Sequence, residues 1–251
     1  MSPEELYKEF GFPVLKPIAR FDLKPLPEGV PTYAIPPVWL GEDSNCIPLS
    51  DAEILLTDFG LSFQPSTTPR FHRRCYEGTL LPPEAYFLPW EPLSFPLDIW
   101  ALACAIWELI AIRPLFSAFM CAPTADHMIK QHVNLLGKLP PEWWQRWDAR
   151  SKFFDEEGVK IDKGALMDSL EQRFERNVQS LRRFYKFEEV SEEEKAALIN
   201  MLKAMLAFKP GDRVTAKQIV KSKWMKEWAL PELSRLKQAK AADLAPSKKN
   251  M

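Results

Sequence analysis

Net charge, clustered glycine, paired metal ligands and long apolar runs are all missing from this chain of 251 residues. Lys plus Arg number 33 and Asp plus Glu 34, so the net charge of −1 leaves no electrostatic footprint for nucleic acid or an anionic membrane surface. The nine glycines contain no G-x-G-x-x-G, so no glycine-rich loop is encoded to cradle phosphates. Cys46, Cys75, Cys104 and Cys121 form no C-x-x-C pair and share no ligand spacing with His72, His127 or His132. That pattern excludes a recognisable zinc site and a disulfide framework. The cysteines read as reduced thiols of a cytoplasmic or nuclear protein. The N-terminus, Met1-Ser2-Pro3-Glu4-Glu5, has neither a basic start nor an apolar stretch, and the most apolar later run, 99–112, is interrupted by Glu108. Neither a secretory signal nor a membrane segment is expected.

What the chain does have is 46% apolar residues, enough for one substantial core or a core with a smaller lobe. Nine of its 23 prolines fall within residues 1–53, which removes backbone donors too often for regular helices apart from a short one at 3–10. Residues 1–53 are therefore expected to be a proline-rich extended insert. Residues 54–57 then read as a short strand, and Leu61-Ser62-Phe63 can pair beside it after a turn at Gly60.

From Ser94 the pattern becomes helical, with Trp100, Ala103, Cys104, Trp107 and Ile110 at helical spacing and apolar residues on the remaining faces. This predicts a helix buried nearly all round. Thr124 caps a second helix that Gly137 stops, and Pro140-Pro141-Glu142 opens a short one carrying Trp143, Trp144 and Trp147, read as core. A charged helix is expected at 165–184. Capping boxes at 191–194 and 215–218 open two more helices. Beyond Pro231 large apolar residues give way to Lys and Ala, so 231–251 are expected to be a frayed helix and flexible tail.

Asp58-Phe59-Gly60 behind the apolar run 54–56 gains meaning from its company. Pro82-Pro83-Glu84 follows 26 residues after Asp58, then Ser94-Phe95-Pro96-Leu97-Asp98-Ile99-Trp100 and Trp107-Glu108-Leu109, and finally Phe208-Lys209-Pro210-Gly211-Asp212-Arg213. These segments, in this order, resemble the metal-binding strand end, activation-segment end, central helix and late loop of a protein kinase large lobe. Segments 29–33, 37–41 and 139–144 look like the SR-protein-kinase-like group of serine/threonine kinases. The resemblance spans residues 6 to 230.

The resemblance implies a mainly α fold: a kinase C-terminal lobe over 54–230, an activation segment at 58–84, a short β-hairpin at the Asp-Phe-Gly segment and no complete N-terminal lobe. It implies ATP and Mg²⁺ as cofactors, with Asp58 on the metal and Asp58, Phe59 and Gly60 as cofactor-binding residues, Phe59 setting the packing. It implies phosphorylation of a Ser or Thr hydroxyl on a protein substrate in the complete family member. Glu84, Asp98 and Arg213 become structural. Glu84 and Arg213 would form a buried ion pair, and Asp98 would accept backbone donors from the catalytic loop, the alternative being a first-turn carboxylate favoured by the helix dipole.

The sequence departs from the kinase pattern where chemistry is concentrated. It has no V-A-I-K-like lysine and no H-R-D-L-x-x-x-N loop, and it starts just after the place where that loop would end. Arg20-Phe21-Asp22-Leu23 mimics the loop, but the required Asn position is Pro27, so Asp22 reads as a turn carboxylate. No residue is assigned as catalytic base. The expectation is a chain inactive on its own, with a non-catalytic, kinase-derived binding module as the alternative. A protein is the expected partner in either case.

Overall fold

The computed structural model describes residues 2–38, 41, 46–48, 51, 54–71, 81–117, 124–162 and 169–243. The readings made for His72, Cys75, Cys121 and 244–251 lie outside these residues. The chain divides into two compact units, residues 1–54 with 239–251, and residues 55–238.

In the first unit the prolines leave room for a single well-capped helix, α1 (Pro3–Phe10). The Ser2 hydroxyl accepts from the Glu5 N–H while the Glu5 carboxylate accepts from the Ser2 N–H. Gly11, at φ +81, ends it, and Phe12 stacks back on Tyr7 with ring centroids 5.2 Å apart. The extended stretch beyond forms a two-stranded antiparallel sheet, β1 (Lys16–Pro17) with β2 (Tyr33–Ala34), in register Lys16 to Ala34 and Pro17 to Tyr33. Proline is tolerated there because the ladder is short and has two open edges.

The second unit is helical: α2 (Glu84–Phe87), α3 (Phe95–Ile110), α4 (Ala125–Leu136), α5 (Pro141–Arg146), α6 (Leu170–Phe174), α7 (Ser180–Phe184), α8 (Glu192–Met205) and α9 (Ala216–Val220). A π-helical stretch, Glu175–Gln179, joins α6 to α7. Trp100, Ala103, Cys104 and Trp107 of α3 meet Leu198, Leu202 and Met205 of α8 and Leu170, Phe174 and Val178 of the α6 segment in one buried cluster. A second cluster, beneath α4 and α5, gathers Phe87, Val133, Trp143, Trp144, Trp147 and Phe154, so these tryptophans are core. Each large side chain so enclosed contributes about 1.5–3 kcal/mol. α10 (Leu230–Asp243) lies where a frayed helix and tail were expected and runs well past Pro231.

Two expectations are corrected. The β-hairpin at the Asp-Phe-Gly segment does not form among the described residues: 54–58 belong to no strand, and Phe59–Leu61 is a 3₁₀ turn. A lone two-stranded hairpin is marginal in water, and Ile54, Leu55 and Leu56 are 87%, 83% and 76% exposed, with no layer to pack on. Nor is α3 buried all round. Phe95, Leu102, Ala105 and Leu109 recur at helical spacing on a face left open to solvent.

Candidate functional site

Asp58 occupies the left-handed region (φ +63, ψ +52), an uncommon conformation for a residue with a Cβ that concentrates at functional sites. The chain then tightens into the 3₁₀ turn, where the N–H and the hydroxyl of Ser62 both donate to the Phe59 carbonyl, at 3.0 and 2.7 Å. Downstream, the Arg70 guanidinium donates to the Leu61 carbonyl at 2.8 Å and lies over the Phe63 ring at 5.0 Å. The Leu93 N–H donates to the Arg70 carbonyl at 2.7 Å. The segment after Asp58 is thereby tied to the approach of α3.

This arrangement brings Asp58 and Asp98 to one cavity of about 330 Å³, lined also by Phe59, Leu61, Ser62, Phe63, Ser94, Phe95 and Leu97. Gly60 belongs to the turn and does not line it. No hydrogen bond meets the Asp98 carboxylate among the described residues, and desolvation raises its pKa. Among the described residues, two carboxylates and no cation form the charged lining. Such a donor set suits a hard divalent cation, although no cluster of three potential metal ligands exists among the described residues.

Glu84, in the first turn of α2, and Arg213, in the loop after α8, are brought together across the second unit. Arg213 Nη1 and Nη2 donate to Glu84 Oε1 and Oε2 at 2.7 and 2.5 Å in a bidentate fork. Nη1 also donates to the Pro96 carbonyl (3.0 Å), Nη2 to the Phe208 carbonyl (3.0 Å) and Nε to the Ala207 carbonyl (2.9 Å). All five guanidinium N–H groups therefore have acceptors. The Arg213 side chain is 0% exposed and its guanidinium lies 5.0 Å from the Trp100 ring centre. One side chain thus ties the end of the Asp58–Glu84 segment, the start of α3 and the loop after α8 to each other.

Asp22 stands in the other unit, held at 2.7 Å on both oxygens by the Arg20 guanidinium, which lowers its pKa. It is a turn carboxylate. Sequence reasoning passed over His132, considered only as a metal ligand. The structure encloses it completely between the rings of Trp100 (5.1 Å), Phe116 (4.7 Å) and Tyr86 (6.1 Å). Neither ring nitrogen has a hydrogen-bond partner, nor does the Trp100 indole nitrogen. Burial, with Arg213 nearby, pushes the His132 pKa down to about 3. Its place on the core face of α4, one turn past Met128 and beside Ile129 and Val133, was the available signal.

The family model of the protein kinase domain matches residues 43–225, and the chain belongs to that family. Relatives include the mitogen-activated protein kinase HOG1 of Wallemia sebi, 28% identical over 186 residues, which cover 72% of this chain and 56% of that kinase. The mitogen-activated protein kinase hog1 of Trichoderma harzianum is 29% identical over 192 residues, 75% of this chain and 45% of its own length. The dual specificity protein kinase lkh1 of Schizosaccharomyces pombe is 26% identical over 178 residues, 68% of this chain and 23% of its own length. The chain spans about half the length of the mitogen-activated kinases it matches. Among the described residues no helix is long and apolar enough to cross a membrane.

Proposed function

We propose that residues 55–238 are the large lobe of a protein kinase of serine/threonine type, carrying the metal-binding aspartate without the groups that hold nucleotide phosphates. The observation that carries this reading is the charge of the Asp58 cavity: Asp58 and Asp98 line it and, among the described residues, no Lys or Arg does. Mg²⁺ fits that donor set, with Asp58 as its ligand and Asp98 facing the same space. No side-chain cation among the described lining residues would meet the triphosphate of ATP, which would depend for counter-charge on the metal alone. Phosphoryl transfer depends on positioning and charge stabilisation, and this chain supplies one element of each. The open apolar face of α3 and the exposed run 54–56 support a lobe that lacks a covering layer.

We assign no finer group. The SR-protein-kinase-like resemblance rests partly on segments 29–33 and 37–41, which precede the matched region, and the relatives above are mitogen-activated and dual-specificity kinases. In the complete family member the reaction is ATP-dependent phosphorylation of a protein Ser or Thr hydroxyl. The same cation-free cavity favours a second reading for the isolated chain, a kinase-derived module that binds a protein partner.

Transfer from radiolabelled ATP to a generic protein substrate, run with the purified chain and Mg²⁺, tests the reading. The expected result is no incorporation above a blank, and no thermal shift with Mg-ATP. Turnover that Asp58→Ala abolishes would overturn it.

A further inference from the structure

The face of α3 that stays open to solvent carries a regular pattern. Phe95, Asp98, Leu102, Ala105 and Leu109, with Ile112 just past the helix end, are all exposed, in steps of three, four, three, four and three residues. That alternation is the 3.5-residue spacing of a coiled-coil seam, along which a second helix packs lengthwise. All but Asp98 are apolar, and Leu109 is 76% exposed. From Phe95 to Leu109 the seam runs about 21 Å, the length of two heptads.

The seam links two cavities. Phe95 and Asp98 line the one at Asp58. Leu109 lines another of about 550 Å³, floored by the buried Phe174, Val178 and Leu198 and walled by Trp224 and Trp228. The walls of the second are fixed in advance: the Gln179 side chain donates to the Val190 carbonyl at 2.6 Å and accepts from its N–H at 3.0 Å, and the Trp224 indole N–H donates to the Glu194 carboxylate at 3.2 Å. Little conformational entropy therefore remains to be lost when a partner arrives.

Charge selects the occupant. α3 carries Asp98 and Glu108 and neither Lys nor Arg. Among the described residues, the charged lining at the Phe95 end is Asp58 and Asp98, and at the Leu109 end Glu188, Glu189 and Glu194 outnumber Arg182. A second copy of this chain would bring only acids to the seam, and an anionic bilayer would be repelled by it. A helix with Lys or Arg beside an apolar stripe complements both the spacing and the charge.

We propose that this seam is the docking face for a basic amphipathic helix of a partner protein. The proposal rests on the reading of residues 55–238 as a lobe without a covering layer, and it specifies the chemistry of the cover. The apolar stripe of the partner lies over Leu102, Ala105 and Leu109, the small Ala105 allowing close approach, and its flanking cations meet Asp98 and Glu108.

The test is fluorescence polarisation on the full chain with three dye-labelled three-heptad peptides: a Leu stripe flanked by Lys, the same stripe flanked by Glu, and the Leu–Lys composition rearranged so that no stripe forms. The first should bind, and more weakly as salt rises. Leu102→Lys, at an exposed position in the middle of the seam, should weaken that binding at least about tenfold with unchanged circular dichroism. Asp98→Lys combined with Glu108→Lys should turn the preference toward the Leu–Glu peptide. No binding, equal binding of either control peptide, or indifference to Leu102→Lys would overturn the proposal, as would sedimentation showing a dimer of the chain that Leu102→Lys separates. The kinase-lobe reading is tested by phosphoryl transfer instead, so each can fail without the other.

Discussion

Removing charge from Glu84 while keeping its shape isolates what the buried pair contributes. In Glu84→Gln the Arg213 guanidinium stays at 0% exposure, keeps the Pro96, Phe208 and Ala207 carbonyls, and loses its counter-ion. One carboxylate oxygen becomes an amide nitrogen pointing donors at donors. Breaking a buried pair from one side costs about 3–5 kcal/mol, because a charge remains without compensation. For a unit of this size that corresponds to a melting temperature lower by roughly 6–20 °C. Arg213→Lys should cost as much despite conserving charge: an ammonium has three donors for the five acceptors now served, and each abandoned buried acceptor costs about 1–3 kcal/mol. Glu84→Gln combined with Arg213→Met should be less destabilised than the sum of its parts, since neither charge is then stranded. Urea unfolding followed by tryptophan fluorescence reads all variants, Trp100 lying 5.0 Å from the guanidinium. A cost below about 1 kcal/mol for Glu84→Gln, or additive single and double variants, would refute the reasoning.

The remaining predictions concern other parts of the second unit. His132 has a folded pKa of about 3 against an ordinary value of 6.5, so the unfolded chain takes up the proton first and stability falls as pH drops below 6.5. From pH 7.5 to 5 the loss is about 2 kcal/mol, read as a lower urea midpoint, and His132→Leu should remove most of that dependence. Asp98→Asn should raise stability slightly, by less than about 1 kcal/mol given its exposure, because a desolvated carboxylate with no donor among the described residues is removed; a fall in melting temperature would count against this. Gly158 has φ +82, and a Cβ there would sit 2.9 Å from Cβ of Lys138, so Gly158→Ala should cost about 1–3 kcal/mol in the same urea titration.

The parts of this fold legible in the sequence were those whose cause is local. The helix at 3–10, the Ser191 cap of α8, the Thr215–Gln218 box, Thr124 with Gly137 around α4, and the tryptophan-bearing α5 are written in neighbouring residues, and the structure has helices there. The strand expected at 54–57 was not legible, because an apolar run becomes a strand only when something pairs with it, and nothing in the run specifies a partner. The open face of α3 escaped for a related reason: Phe95, Leu102 and Leu109 are as apolar as Trp100 and Trp107, so composition cannot tell which stripe a neighbour covers. Glu84 and Arg213, 129 residues apart, could be linked only through the order of kinase-like segments.

The Asp58 cavity and the Glu84–Arg213 pair are opposite electrostatic cases. Asp58 and Asp98 line one concavity and, among the described residues, no Lys or Arg does. Like charges held together raise the free energy of the compact state, and salt screens that cost at the solvent-facing edge. At Glu84 and Arg213 opposite charges meet, every guanidinium N–H has an acceptor, and the two side chains are 7% and 0% exposed. Screening should therefore relieve the repulsion at Asp58 and leave the enclosed pair nearly untouched. Urea unfolding across an ionic-strength series should find the cost of Glu84→Gln almost constant, whereas the contribution of a surface pair would fade as salt rises.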